Sequence, residues 1–376
     1  MPRIFIVTGE ASGDAHGANL AQALRAQRPD CELIGVGGHR MAEAGVDLIT
    51  GLKRLDHMGF PGPSVLRGAY HNYRRLAGLL KATVFDAVVF IDHPGLNLRL
   101  ARVAKAAGQR VVYYIAPQIW AWAPGRIKLI QRVVDQMLVI LPFERALYQR
   151  AGVPCEFVGH PLLDQVAPSY NSAELRRQFG LEGTGPVIGL LPGSRESEVR
   201  SLLPILLDAA NRVREREPSA RFVLAQAGSI AGTLLAGQLQ ACAVPVTVVK
   251  DRASEVMACA DVLWVASGTA TLQAAIVGTP MVLLYTTAWL TYWIARYKIL
   301  VQWIGLVNIV AGRTIVPELI QREATPERLS EEAMRLLRDP EAARTMKEAL
   351  RKVRESLGKP GASHRAAEAI LKVCRA

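Results

Sequence analysis

The sequence lacks the motifs that mark the most familiar nucleotide-binding and metal-dependent enzymes. It contains no G-x-x-x-x-G-K-[ST] loop, no G-x-G-x-x-G after its first strand-like run, and no Asp-x-Asp pair. These absences exclude a P-loop and a dinucleotide fingerprint, and they favour chemistry that needs no divalent ion on a diphosphate. We therefore expect no metal and no cofactor.

Cysteines are few, and long apolar runs are absent. The five cysteines form no C-x-x-C pair and no Cys/His spacing typical of zinc, so we expect reduced, structural thiols. The most apolar run, residues 299–311, is shorter than the roughly 20 residues that a transmembrane helix needs. A strand-like run begins at Ile4 and leaves no room for the apolar region of a signal peptide. These features predict a cytoplasmic protein.

Positive charge is in excess over the 376 residues. Lys and Arg number 45 against 33 Asp and Glu, which gives a formal net charge of +12. Such a balance favours a polyanionic partner: nucleic acid, an anionic membrane surface or a phosphorylated substrate. The basic residues are dispersed and no nucleic-acid recognition motif occurs, so nucleic acid is not expected. Half of the residues are hydrophobic, which is enough for two domains with separate cores.

Two segments, residues 3–14 and 186–198, each join an apolar strand-like run to a Gly/Ser loop and a helix-like run. Strand and helix patterns alternate around both, which predicts parallel sheets with right-handed crossovers. We predict an α/β protein with two Rossmann-like domains that face each other across a cleft. The polar linker at 166–184 divides it into residues 1–167, residues 168–345 and C-terminal helices at 346–376, which we expect to pack back on the first domain.

The strands predicted from apolar runs alternate with these helices. They are residues 4–8, 31–36, 86–91, 110–115, 136–141 and 155–158 in the first half, and 187–191, 221–225, 246–249, 262–265 and 281–284 in the second. Ligands of doubly wound sheets bind beyond the carboxyl ends of the strands. The polar residues that follow these runs are therefore the candidate site residues.

Asp92 directly follows the strand-like run 86–91. A carboxylate held on a rigid strand end is well placed to act as a general base. The alternative is an Asp that caps the next helix or anchors a turn.

The first Gly/Ser loop carries Glu10 and Asp14, whose negative charges make it a poor cradle for phosphate. Glu10 can accept hydrogen bonds from the hydroxyls of a sugar-like substrate, while Ser12 and the glycines allow close approach of the backbone. The alternative is that Ser12 or Asp14 only caps the following helix.

The corresponding loops of the second half favour anions. Arg195 lies just beyond the run 187–191, and a guanidinium can pair bidentately with phosphate oxygens. A second turn joins the run 262–265 to a helix and can turn its backbone amides towards a pyrophosphate; its residues are Ser267, Gly268, Thr269, Ala270 and Thr271. The alternatives are a helix cap for Ser267 and a surface ion pair with Glu196 or Glu198 for Arg195.

Motifs in this order resemble those of the lipid-A-disaccharide synthase family from residue 9 to about 321. They are Gly-Glu-x-Ser-Gly-Asp at 9–14, Gly-Gly-x-x-Met at 37–41, Met-Gly at 58–59, Ile-Asp at 91–92 with Asn97, Pro-Gln-Ile-Trp-Ala-Trp at 117–122, Leu-Pro-Phe-Glu at 141–144, Phe-Val-Gly-His-Pro at 157–161, Leu-Leu-Pro-Gly-Ser-Arg at 190–195, Ser-Gly-Thr-Ala-Thr-Leu at 267–272 and Asn-Ile-Val-Ala-Gly at 308–312.

The resemblance implies a B-type, inverting and metal-independent glycosyltransferase. Such an enzyme joins UDP-2,3-diacylglucosamine to 2,3-diacylglucosamine 1-phosphate through a β-1,6 bond and releases UDP. It implies a UDP site near Arg195, residues 267–271 and the Asn308 loop, and an acceptor site in the first half. Asp92 matches the family carboxylate implicated in catalysis, and Glu10 is the rival base or a sugar ligand.

The chain departs from the family pattern at a few positions. Gln273 stands where family members commonly have a Glu that holds the ribose hydroxyls, and Gly95 stands where an acidic residue is common. These departures keep two other functions open. One is a different UDP-sugar enzyme of the same fold, either a lipid-carrier N-acetylglucosamine transferase or a 2-epimerase. The other is a non-catalytic paralogue that binds lipid or nucleotide.

Residues 64–81 have helical apolar spacing with a basic opposite side, carrying Arg67, His71, Arg74, Arg75 and Lys81. This pattern is typical of a helix in an anionic membrane interface and of an ordinary packed helix with a solvated side. Acylated substrates favour the first interpretation, a peripheral protein on the cytoplasmic face of the inner membrane. The resemblance also favours a homodimer.

Overall fold

The computed structural model describes residues 1–9, 11–50, 63–240, 242–287 and 301–375, with residues 11, 12, 63–66 and 375 described by their backbone alone. The chain divides into two units. One contains residues 1–164 together with 357–376, and the other contains residues 165–356.

The first unit is built on a parallel sheet with helices on both faces. Its strands are β1 (Arg3–Thr8), β2 (Glu32–Val36), β3 (Asp47–Leu48), β4 (Ala87–Ile91), β5 (Val111–Tyr114), β6 (Gln136–Val139) and β7 (Cys155–Phe157), in the order β3-β2-β1-β4-β5-β6-β7. Its helices are α1 (Ala11–Gln27), α2 (His39–Glu43), α3 (Pro63–Ala82), α4 (Pro94–Ala106), α5 (Ile119–Trp122), α6 (Ile127–Val133), α7 (Pro142–Arg150), α8 (Leu162–Gln165) and the C-terminal α17 (Ala362–Arg375).

Continuous apolar runs form the central strands because both faces of this sheet are covered. All five residues of β4 are buried. Helices α1 and α17 cover one face, where Leu20 and Ile370 join the core, and α3 and α4 cover the other, where Leu76 and Leu100 do so.

The second unit repeats this design. Its strands are β8 (Val187–Leu191), β9 (Arg221–Gln226), β10 (Val246–Lys250), β11 (Val262–Ala266), β12 (Met281–Tyr285) and β13 (Glu318–Ile320), parallel and in the order β10-β9-β8-β11-β12-β13. Its helices are α9 (Ser172–Gln178), α10 (Glu196–Arg216), α11 (Gly232–Leu239), α12 (Ala253–Cys259), α13 (Thr269–Val277), α14 (Leu306–Ala311), α15 (Pro326–Arg338) and α16 (Pro340–Ser356).

Each sheet has a point at which the strand order reverses. In the first unit this point lies between β1 and β4, where Thr8 is paired with Ile91. In the second it lies between β8 and β11, where Leu191 is paired with Val265. Crossover connections leave in opposite directions there, so a crevice opens at the carboxyl ends of the two strands.

The predicted α/β class and its parallel strands are confirmed. Strands β3 and β13 were not predicted, because they are only two and three residues long and so have no recognisable apolar pattern. The C-terminal segment was predicted to begin at residue 346. In the structure, helix α16 continues through that position to Ser356. Met346 and Leu350 are buried there, in a helix that contacts α13 and α14.

Candidate active site

Asp92 begins the loop at the switch point of the first sheet. Since Thr8 and Ile91 are paired, Gly9 and Asp92 leave their strands side by side. A Cβ on Gly9 would lie 2.4 Å from the ring of His93, so only glycine fits against this loop. Glu10 lies outside the described residues, and the backbone of Ser12 belongs to the first turn of α1.

The backbone at Asp92 is held in an unusual conformation. Asp92 and His93 have φ values of 48° and 44°, in the left-handed region, which costs about 1–3 kcal/mol for each residue. The buried amide of Asn97 donates to the carbonyls of Ile91 at 3.0 Å and Asp92 at 2.8 Å, and the Tyr113 hydroxyl donates to the Asp92 carbonyl at 2.5 Å. These bonds hold the strained turn and so orient the half-buried Asp92 side chain.

The alternative that Asp92 caps the next helix is not supported, because the N-cap of α4 is His93. Asp14 has a structural role instead. Its carboxylate accepts the backbone N–H groups of Gly38 at 2.7 Å, Arg40 at 3.1 Å and Met41 at 3.1 Å. Asp14 therefore ties α1 to the start of α2, and its charge is used within the fold.

Glu144 is a buried carboxyl that the sequence analysis did not assign to the site. It accepts the Trp120 indole N–H at 3.0 Å and the backbone N–H of Leu141 at 3.2 Å. Burial raises the pKa of Glu144 to about 7 against the lowering effect of these bonds, and the charge of Asp92 adds to the rise. The only signal in the sequence is that both Trp120 and Glu144 belong to motifs shared with the family.

Two further side chains of this unit are the half-buried His16 and the buried His160, and desolvation lowers the pKa of both. His16 lowers that of His160 further, to about 4. Nδ1 of His160 accepts the backbone N–H of Leu162 at 3.2 Å. Both imidazoles are therefore neutral at neutral pH.

The second unit contains a cavity of about 760 Å³ at the carboxyl ends of its strands. It lies at the switch point and is lined by polar and apolar residues of loops, strand ends and helices. Of the predicted residues, Arg195, Ser267, Gly268, Thr269, Ala270 and Gln273 line it. It is large enough for a nucleotide-sized ligand.

Arg195 is held in place by a neighbouring carboxylate. One oxygen of Glu198 lies 3.0 Å from Nη1 of Arg195, and the other accepts the backbone N–H groups of Ser194 and Arg195 at 3.2 and 3.3 Å. The predicted alternative of an ion pair with Glu198 is thus observed, whereas Glu196 is 3.7 Å from Arg200. The Arg195 side chain remains 56% exposed and lines the cavity, so the pair orients this cation without burying it.

Thr271 and Asn308 are not among the residues that line the cavity. Thr271 is fully buried, and its hydroxyl donates to the Gly268 carbonyl at 2.8 Å. The buried amide of Asn308 donates to Val316 and Glu318 and accepts two backbone N–H groups, all between 2.8 and 3.1 Å. Protein partners therefore occupy the side-chain polar atoms of both residues, and their contact with a ligand stays a prediction.

Gln273 both bonds to a protein group and lines the cavity. Its amide nitrogen donates to the Ser254 hydroxyl at 2.7 Å, and its residue lines the cavity. This bond uses one of the two amide N–H groups, so the carbonyl oxygen and the second N–H are left for a ligand.

Within the described residues, no three His, Cys, Asp or Glu side chains are grouped to hold a metal ion. Among the helices described, none is long and apolar enough to cross a membrane.

Known proteins with the same fold include S. aureus MnaA in a co-structure with UDP and Phytolacca americana UGT2 in complex with UDP-2fluoro-glucose and pterostilbene. The first matches with a TM-score of 0.67 and 13% identity over 99% of this chain and 98% of that one. The second matches with a TM-score of 0.63 and 11% identity over all of both chains. At such identities the likeness shows the fold alone, and it confirms the predicted fold of B-type glycosyltransferases.

Closer similarity comes from sequence. The lipid-A-disaccharide synthase of Trichlorobacter lovleyi is 44% identical over 98% of this chain and 97% of its own length. That of Geobacter metallireducens is 42% identical over 99% of this chain and 97% of its own length. The model of the lipid-A-disaccharide synthetase family matches residues 4–373. The chain therefore belongs to the lipid-A-disaccharide synthetase family and is a glycosyltransferase of lipid A biosynthesis.

Proposed function

We propose that this protein joins UDP-2,3-diacylglucosamine to 2,3-diacylglucosamine 1-phosphate through a β-1,6 bond and releases UDP. The observation that carries this proposal is the family match over residues 4–373, which includes the loop of Asp92 and the cavity of Arg195. UDP in the co-structure of S. aureus MnaA agrees with a UDP-sugar donor.

The first unit supplies the base. Asp92 takes the proton of the acceptor 6-hydroxyl while that oxygen forms a bond to C1 of the donor sugar. The bond between C1 and the diphosphate oxygen breaks at the same time, and attack on the opposite face inverts C1. Asn97 and Tyr113 keep the carboxylate oriented through the Asp92 carbonyl. Glu10 is the rival base.

The second unit binds the donor and stabilises the leaving group. Its cavity offers the Arg195 cation and the backbone of residues 267–270 at the start of the nine-residue helix α13. The guanidinium and the helix N-terminus both stabilise the negative charge that develops on UDP. The Gln273 carbonyl accepts a hydrogen bond from a ribose hydroxyl.

The test is UDP release from synthetic diacylated donor and acceptor, with identification of the product by mass. We expect release only when both substrates are present, and a loss of about 10³-fold or more in kcat for Asp92→Asn, because a general base contributes about 10²–10⁴-fold. Asp30→Asn is the matched control, since Asp30 is a surface carboxylate paired with Arg28.

No disaccharide from the wild-type protein refutes the synthase. Conversion of the UDP-sugar without acceptor indicates a 2-epimerase instead. Full activity of Asp92→Asn removes Asp92 as the base and leaves Glu10→Gln as the variant to measure.

Helix α3 carries the membrane contact in this proposal, at the cytoplasmic face of the inner membrane. Its described part buries Leu76 and Leu80 in the first unit and exposes Arg67 and Arg74, with Tyr70 62% exposed. Exposed cations beside an exposed aromatic ring suit an anionic lipid surface.

Flotation with vesicles of phosphatidylglycerol and phosphatidylethanolamine measures this contact. We expect Arg67→Gln/Arg74→Gln to bind about 10-fold or more weakly, since each juxtamembrane cation contributes about 1 kcal/mol. Arg132→Gln/Arg150→Gln changes the net charge equally at other exposed positions. Equal losses in both double variants contradict a specific role for α3.

A further inference from the structure

Arg126 has a guanidinium group with unused hydrogen-bonding capacity. It ends the short 3-10 turn Pro124–Arg126 after α5, and its Cζ lies 4.4 Å from the centre of the Trp122 ring. Its Nη1 atom is buried and has no hydrogen-bond partner among the residues that the structure describes. A buried donor of a permanent cation is costly to leave unpaired, so such a group is expected to meet an acceptor during function.

The surroundings of Arg126 connect it with the Asp92 loop. Burial dominates the raised pKa of Tyr113, and the charge of Asp92 adds to the rise, while the Arg126 cation acts in the opposite direction. Arg126 lies on the segment that follows β5, and Tyr114 at the end of β5 is paired with Ile91 at the end of β4, so this segment and Asp92 both follow the carboxyl ends of neighbouring strands. No described Asp or Glu forms an ion pair with Arg126. Among the described residues, the cation therefore has no carboxylate partner, and it follows the same edge of the sheet as the proposed base.

We propose that Arg126 binds the phosphate monoester of the acceptor sugar, with Trp122 as the positioning residue that holds its guanidinium. This inference rests on the proposed function. In the acceptor, C1 carries the phosphate and C5 carries the C6 hydroxymethyl group, and both carbons flank the ring oxygen. One edge of the sugar therefore presents a dianion to Arg126 and the attacking hydroxyl to Asp92.

The residue type fits this ligand. A guanidinium offers paired donors that match phosphate oxygens, and its charge persists at every working pH. The Trp122 ring is 46% exposed and covers one face of the cation, so it restrains the side chain before the ligand arrives.

Two acceptors test the proposal: 2,3-diacylglucosamine 1-phosphate and the same sugar without its phosphate. For the phosphorylated acceptor we expect Arg126→Ala to lower kcat/KM about 10- to 100-fold, as for loss of a charge-assisted hydrogen-bonded pair. For the unphosphorylated acceptor we expect no loss, and the KM of the UDP-sugar donor should stay unchanged. Arg126→Lys should restore part of the activity, because it keeps the charge and loses the paired donors.

Arg132→Ala removes an exposed positive charge from the same region and is the control. Thermal unfolding checks that each variant is folded. Equal losses with both acceptors overturn the proposal, as does an unchanged kcat/KM with the phosphorylated one. A raised donor KM with no preference between acceptors assigns Arg126 to the donor diphosphate and also overturns it.

Failure of the proposed function is distinguishable from failure of this inference. If the wild-type protein makes no disaccharide, calorimetric binding of the two sugars to wild type and Arg126→Ala still decides the role of Arg126. Tighter binding of the phosphorylated sugar that is lost in Arg126→Ala supports a phosphate site, and equal binding in all four measurements overturns it.

Discussion

At the scale of single residues, buried polar side chains in both units shape loops that carry other groups. Asn97 turns its amide back to the end of β4, and Asn308 uses its amide to close the turn before β13. Both are fully buried. An amide is suited to this task because it donates and accepts at once without the cost of a buried charge.

Glu144 is the ionisable counterpart of these amides, and its burial makes the stability of the first unit depend on pH. Its pKa is raised to about 7 in the folded protein, above an ordinary value near 4.5, so the folded state holds a proton that the unfolded chain releases. The contribution of Glu144 to stability is then fully present below about pH 4.5 and is lost as pH rises through 7, by up to about 3 kcal/mol.

Glu144→Gln should abolish that part of the pH dependence. The measurement is urea unfolding of both proteins between pH 4.5 and 8, with hydrogen exchange of β5 and β6 assigning the transition to the first unit. Glu156→Gln, which removes an exposed carboxylate of the same unit, should leave the wild-type slope in place. Parallel profiles for wild type and Glu144→Gln would show that this carboxyl stays charged when folded.

At the scale of elements, the central strands and the edge strands β7 and β10 could be predicted, whereas the edge strands β3 and β13 could not. The five residues of β8 are all buried, and a continuous apolar run of that length has a clear pattern. The edge strand β13 begins with Glu318, whose carboxylate accepts the backbone N–H groups of Ile304 and Gly305. Its tertiary contacts, which no local pattern reveals, decide its conformation.

The candidate site divides in the same way. The positions of Asp92 and Arg195 follow from the strands that precede them, so topology alone brings each to the carboxyl end of its sheet. The pairing of Arg195 with Glu198 and the burial of Asn308 depend on side-chain packing. The sequence motifs identified such residues, but they did not indicate whether each side chain contacts a ligand or another part of the protein.

At the scale of the whole molecule, the two units share a topology and differ in chemistry. Each reverses its strand order where a Gly/Ser loop begins. The first unit holds a strained carboxylate there, and the second holds a cavity with a cation and a small-residue loop. The shared topology thus places a loop at the same position of each sheet. A few side chains then make the loop of the first unit carry a carboxylate and that of the second unit carry a cation.

The C-terminal helices should stabilise different units, although they are neighbours in the chain. Ile370 of α17 is fully buried in the core around α1, and Leu350 of α16 is fully buried in the second unit. Truncating a buried Leu or Ile to Ala costs about 2–5 kcal/mol. In native-state hydrogen exchange, Ile370→Ala should lower the protection of β1 and β4 by that amount, while β8 and β11 keep theirs. Leu350→Ala should give the reverse. A loss spread evenly over both sheets in either variant would mean that the two units unfold as one, since local openings otherwise follow the packing of each core.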